Sequence, residues 1–276
     1  MRMNGYHLSA IALLGLVSAC GGSASSSSSS SSTTTTTQVA AGVWESNYTS
    51  ASGDTIQGLL LVSSTNEFVA AAVDETSNCE TICFGSGVIS GASLTATDAF
   101  GIATYNTLPW VNTSCTFSDS TTSGTGTLAG TVTTGSSINV TTAGTTTGGT
   151  ALTSTTETYT FSNMNSTTPS LSTIAGTYTD TDGSTITVSA TGVLSEVNTT
   201  TGCRVTGSLS VPDTSHNIYA ISVTYSACLS TYASIDGLTM SGLATYNATG
   251  SPANLIVGMR GTLNGTTLAF FGAYPS

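Results

Sequence analysis

The sequence predicts an all-β protein: two antiparallel meander β-barrels, or sandwiches, of about eight strands each, behind a signal peptide and a disordered Ser/Thr linker. Three observations predict it. Ser and Thr make up roughly a third of the 276 residues, with 30 Gly and no Lys, a supply of strand and turn formers rather than helix formers. Short alternating runs recur about every ten residues, separated by turn dipeptides such as Asp182-Gly183 and Asn264-Gly265, the strongest two-residue hairpin signals. A weak repeat joins Gly101-Ile102-Ala103-Thr104-Tyr105-Asn106 to Gly242-Leu243-Ala244-Thr245-Tyr246-Asn247, and Gly42-Val43-Trp44 to Gly176-Thr177-Tyr178. A period above one hundred residues is the size of a duplicated domain, not of a solenoid unit.

Taken in order, residues 1–19 carry Arg2 and then an apolar run from Leu8 to Val17 that ends in Val17-Ser18-Ala19-Cys20. About ten apolar residues are too few to span a ~30 Å hydrocarbon core. The pattern resembles the signal peptide and lipobox of bacterial lipoproteins, and that resemblance implies cleavage before Cys20 and acylation of Cys20 with diacylglycerol and a palmitate-like chain. Several acyl chains anchor a protein where one does not. Gly21 stands where the inner-membrane retention signal of that group has Asp, so the resemblance implies the outer membrane.

Residues 20–38 run through Ser25 to Ser32 and Thr33 to Thr37 without a large apolar side chain. Such a segment cannot offset the entropy of ordering, and it is expected to be a flexible tether of roughly 25 Å root-mean-square reach.

Residues 39–167 form the expected first domain. Its strands are expected at Gly42–Thr49, Ile56–Val62, Phe68–Asp74, Phe84–Ser90, Phe100–Tyr105, Thr116–Ser118, Gly126–Thr133, Ser137–Thr141 and Thr156–Ser162. The boundary is expected in Asn165–Ser172, where Pro169 interrupts the alternation. Residues 168–276 form the second domain, with strands expected at Thr177–Asp180, Thr185–Ser189, Val193–Val197, Arg204–Val211, Ile218–Ser226, Leu238–Tyr246, Leu255–Arg260 and Thr266–Ala273. Closing each meander would remove the edges that invite aggregation.

Charge narrows the partners. The chain has a net charge of −11 with only three Lys and Arg together. Without Arg2 the mature chain keeps Arg204 and Arg260 against fourteen Asp and Glu, a net charge of −12. Nucleic acid needs a basic face to release counterions, so it is excluded, as is a polybasic membrane patch. A protein, glycan or small-molecule partner should be neutral or cationic.

With Cys20 lipidated, five cysteines remain, and an oxidising compartment makes disulfides the default. Cys203 and Cys228 flank one expected hairpin and should bridge it. One obstacle is parity: a register pairing Leu209 with Ile221 offsets the two by one residue, unless a bulge intervenes or Cys203 sits at the strand's edge. Among Cys79, Cys83 and Cys115, the pair Cys79–Cys83 is the simplest, since both are expected in one loop. Cys-x3-Cys has no His nearby, so neither a metal site nor a cofactor is expected.

No catalytic residue is expected either. His216, alone after signal removal, lies in Pro212-Asp213-Thr214-Ser215-His216-Asn217, a hairpin tip that is a poor frame for a hydrolase triad. Asp180-Thr181-Asp182-Gly183-Ser184 begins like a calcium loop but lacks the distal Glu. Glu75 and Glu80 read as a solvated acidic loop. Tyr225, Tyr246 and Phe270 would form a ligand platform if gathered at one barrel mouth.

The Gly-x-aromatic openings and Gly202-Cys203, Cys228 and Gly242-Leu243-Ala244 resemble the tandem Thr/Gly-rich β-domains of bacterial lipoproteins. More loosely, Gly42 and Trp44 resemble the opening of calycin and transferrin-binding-protein-like barrels. These resemblances imply fold and address and bring no activity. The functional expectation is a non-catalytic, lipid-anchored lipoprotein of the cell envelope, facing the periplasm or the exterior, with a binding or structural role. A lipocalin-like carrier of a small apolar ligand, or an envelope hydrolase or hydrolase inhibitor, are the alternatives.

Overall fold

The computed structural model describes residues 39–49, 55–74, 79–90, 92–100, 124–146, 151–179, 183–264 and 266–276. The signal segment, Cys20, the Ser/Thr tether, Cys115, Glu75, the first copy of the repeat at Gly101–Asn106 and the strand expected at Thr116–Ser118 lie outside them.

Two curled antiparallel sheets of eight strands account for nearly everything described. The first runs β1 (Gly42–Thr49), β2 (Thr55–Val62), β3 (Glu67–Asp74), β4 (Cys79–Ser90), β5 (Ser93–Phe100), β6 (Gly124–Thr133), β7 (Ser137–Thr146) and β8 (Ala151–Phe161). Each strand pairs with the next, and β1 also pairs with β8 through Trp44↔Phe161 and Glu45↔Thr160, which closes a barrel. The second runs β9 (Gly176–Thr179), β10 (Thr185–Val188), β11 (Val193–Val197), β12 (Arg204–Ser210), β13 (Tyr219–Ser226), β14 (Thr239–Asn247), β15 (Asn254–Leu263) and β16 (Thr266–Pro275). It has the same meander order, with β9 and β16 at its two edges.

β5 stands where the sequence predicts no strand. Ser93-Leu94-Thr95-Ala96-Thr97-Asp98 has one large apolar residue, Leu94, which is buried in the barrel. Its strand identity comes from backbone pairing with β4 and β6. The strand expected at Phe100–Tyr105 shares only Phe100 with β5.

Inside the barrel, Trp44, Leu60, Phe68, Val132, Ile138 and Tyr159 form one core. Inside the second sheet, Tyr178, Ile186, Leu209, Ile221, Met240 and Val257 belong to another. The two openings of the repeat do the same work. Trp44 Nε1 donates to Ala40 O at 2.7 Å, and Tyr178 Oη donates to Ile174 O at 2.7 Å. Each aromatic thus fills its interior while its polar tip satisfies the carbonyl four residues back, as a buried Trp or Tyr must.

A third core lies between the sheets. Val43, Leu59, Leu61, Val69, Ala71 and Phe84, on the outer face of the barrel, pack with Leu243, Ile256, Ala269 and Phe271, on the outer face of the second sheet. This explains why Gly58-Leu59-Leu60-Leu61-Val62 and Leu255-Ile256-Val257 abandon alternation: strands covered on both faces have no polar side. Gly258 allows a close approach, since a Cβ there would overlap Val69 Cγ1.

The connection between β8 and β9 is tied into this contact. It contains a 3-10 turn, Asn163–Ser166, capped by the Ser162 hydroxyl. Asn165 Nδ2 donates to Val43 O at 2.7 Å while its Oδ1 accepts from Val43 N at 2.9 Å. Asn217 Nδ2, fully buried, donates to Met164 O at 2.9 Å and to Tyr246 O at 2.8 Å. These amides add side-chain bonds where the strands end: Val43 O also accepts from Ser162 N–H, and Met164 O from Thr167 N–H.

Candidate functional site

Cys203 and Cys228 form a disulfide. The ladder of β12 and β13 does pair Leu209 with Ile221, so the two cysteines are offset by one residue. Cys203 lies just ahead of β12, and Ala227, just past β13, has φ 53°. That left-handed residue turns the chain at the strand end and returns Cys228 toward Cys203.

Cys79 and Cys83 are not in a loop. Both belong to β4, opposite Asp74 and Ala70. Four residues of extended chain separate their Cα atoms by roughly 13 Å, beyond the ~7 Å that a disulfide spans. The expected Cys79–Cys83 bridge is therefore corrected.

Tyr225, Tyr246 and Phe270 all pack against the core of the second sheet. Of the three only Tyr225 lines the cavity there, beside Tyr178, Glu196, Met259 and Tyr274, and Phe270 stacks on Tyr274 instead. The cavity measures about 30 Å³. That is space for a water or two, whereas a site for a carried ligand needs roughly 300–1,000 Å³.

His216 Nδ1 meets Asp213 Oδ2 at 2.5 Å in the turn between β12 and β13. Asp213 Oδ1 accepts from Ser215 N–H at 2.9 Å. That backbone bond first, and the His216 contact second, hold the Asp213 carboxyl below its usual range. Among the described residues His216 has no hydroxyl or thiol on its other ring nitrogen, so the pair braces a turn.

One polar constellation escapes a reading of the sequence alone, and it lies inside the first barrel. β8 presents Glu157 and Tyr159 to the interior, and β1 presents Trp44, Ser46 and Tyr48. Tyr159 Oη donates to Glu157 Oε2 at 2.6 Å, and Tyr48 Oη reaches Glu157 Oε1 at 3.5 Å. Tyr48 and Glu157 are half-buried, so the group borders solvent. The β1–β8 ladder stops at Glu45↔Thr160, one residue short of Ser46, so backbone pairing ends where these side chains face one another.

Ser46 is 6% exposed, and its Oγ has no hydrogen-bond partner among the described residues. It sits over Gly58, its partner on β2. A Cβ on Gly58 would overlap Ser46 Oγ and come within 3.3 Å of Tyr159 Cε1. Gly58 thus makes room for a hydroxyl and a ring in one small space.

Burial pushes the Glu157 carboxyl up, against the lowering effect of the Tyr159 and Tyr48 hydroxyls. A carboxyl raised by folding holds its proton more tightly in the folded chain, so stability falls as pH rises upward from the ordinary value of 4.5. Glu157→Gln should remove that decline. Thermal melts across this range should show the variant gaining on the parent as pH rises, and parallel curves would refute the burial cost.

No protein-family model matches the chain, and neither a curated protein nor a solved structure matches it.

Proposed function

We propose that the chain is a non-catalytic lipoprotein of the cell envelope, held to the outer membrane through an acylated Cys20, whose folded part is a binding module. The observation that carries the reading is the run from Val17-Ser18-Ala19-Cys20 through Gln38. An export signal, a lipidation site and a chain with nothing to bury come in that order, and the barrel begins immediately afterwards at β1.

The fold suits this address. Val39 N–H donates to Thr134 Oγ1 at 2.8 Å, which fixes the chain's entry beside the turn between β6 and β7. Tyr48 lies near the other end of β1, so the gap that holds Glu157 is at the opposite end of that strand from the chain's entry at Val39. A second sheet filled by its own side chains argues against carriage of an apolar ligand there, and the His216 turn argues against hydrolysis. An acidic surface with two arginines favours a neutral or cationic partner.

Cys20→Ala should move the protein from the membrane fraction to the soluble fraction and abolish incorporation of an alkynyl palmitate analogue. Unchanged membrane fractionation, or continued labelling, would refute the lipid anchor.

A further inference from the structure

The gap between β1 and β8 carries a negative charge without a counter-ion. Among the described residues no basic side chain pairs with Glu157; Arg260 lies over the Phe84 ring on the outer face, 5.9 Å from its centroid, and Arg204 is on β12 of the other sheet. A half-buried carboxylate held by two phenols is costly unless a cation completes it. Ser46 supplies the second observation: its hydroxyl oxygen is more than nine-tenths buried, lacks a partner among the described residues, and faces the same space as the Tyr159 ring. An open acceptor on the same inner face as an unbalanced one, with the Tyr159 ring reaching toward both, calls for a group that donates several hydrogen bonds and carries positive charge.

We propose that Glu157, Ser46, Tyr48 and Tyr159, at the open end of the β1–β8 seam, bind a primary ammonium group. Three N–H donors on one nitrogen match Glu157 Oε1, whose bond from Tyr48 is long, and the open Ser46 Oγ. The phenol faces of Tyr48 and Tyr159 add cation–π attraction. Gly58 is the enabling residue, since any side chain there would displace the Ser46 hydroxyl. The ammonium comes from a small free amine or from a lysine side chain of a protein partner, and the chemistry is shared. The inference rests on the folded part being a binding module. It is independent of the anchor, because the test uses purified Cys20→Ala full-length chain, and fractionation alone decides the anchor.

Calorimetric titration with n-butylammonium, Nα-acetyl-lysine methylamide, tetramethylammonium and n-butanol makes the test. Butylammonium or the lysine amide should bind at least tenfold more tightly than tetramethylammonium, which has no N–H, or butanol, which has no charge. Preference for butylammonium identifies a free amine as the source, and preference for the lysine amide identifies a protein side chain. Glu157→Gln should abolish binding. Ser46→Ala, too small a change to prevent folding, should weaken it about tenfold, the worth of one hydrogen bond to a charged group, and Gly58→Ala should weaken it further. The proposal is overturned if neither ammonium binds, if butanol binds as well as butylammonium, or if Ser46→Ala lowers the melting temperature and leaves affinity unchanged, the signature of a hydroxyl that merely holds an internal water.

Discussion

Ile256→Asp should destabilise the first barrel, although the substitution lies in the second sheet. Ile256 is 0% exposed and packs in the core between the sheets, opposite residues of β1–β4. Truncating such a side chain costs about 2–5 kcal/mol, and an unpaired buried carboxylate adds to that, so a loss of about 5 kcal/mol or more is expected. Both tryptophans, Trp44 and Trp110, belong to the first half of the chain. In a Trp110→Phe background, tryptophan fluorescence reports the barrel through the buried Trp44, while far-UV circular dichroism reports both sheets. In the parent protein the two probes should give one denaturant midpoint. In Ile256→Asp the tryptophan midpoint should fall with the rest. A tryptophan midpoint that stays in place would show that the sheets fold independently. Gly258→Val should act in the same direction without a charge, because its side chain would collide with Val69. Val193→Asp is the control: Val193 is 57% exposed on β11, and substitution there should change stability by less than about 0.5 kcal/mol.

The shared core shows what could be read from the sequence and what could not. Strands of the second sheet stand close to their expected places because Asp182-Gly183, Ala190-Thr191-Gly192, Pro212-Asp213 and Asn264-Gly265 punctuate them, and turn chemistry is local. β5 is illegible for the opposite reason: a strand of small and polar residues is fixed by its neighbours' hydrogen bonds, which leave no mark in its own side chains. β4 extends five residues earlier than expected, through Cys79 and Cys83, because β3 templates it. The contact between the sheets did leave a signal, in the continuous apolar run Gly58-Leu59-Leu60-Leu61-Val62, but such a run does not say what covers its second face. Glu157 also left one. It shares parity with Tyr159 and Phe161 in a strand whose other positions are mostly Thr, so an acid stands where an inward residue belongs. Its meaning depends on Ser46, Tyr48 and Gly58, about one hundred residues away, and only the closure of β1 onto β8 brings them together.

Replacing both Cys203 and Cys228 by Ala should give the second large loss. The bridge closes a segment with a sequence separation of 25, for which the chain-entropy model gives roughly 3 kcal/mol. For a protein of this size that corresponds to a fall of roughly 6–12 °C in melting temperature. The local geometry sharpens the expectation. Ala227 has φ 53°, a conformation that costs an L-residue with a side chain about 1 kcal/mol or more. The bridge and the ladder of β13 together hold it there. Without the bridge, the turn at Ala227 is free to relax toward negative φ, and β13 should fray from its Ser226 end. Ala227→Gly in the cysteine-free background should then recover up to about 1 kcal/mol, because glycine adopts positive φ without steric cost. Hydrogen exchange at Tyr225 and Ser226 separates the two contributions. If protection there survives loss of the bridge, the stabilisation lies wholly in the unfolded chain and Ala227→Gly should recover nothing. If protection is lost with the bridge and regained on adding Ala227→Gly, the disulfide is also what holds the end of β13 against β12.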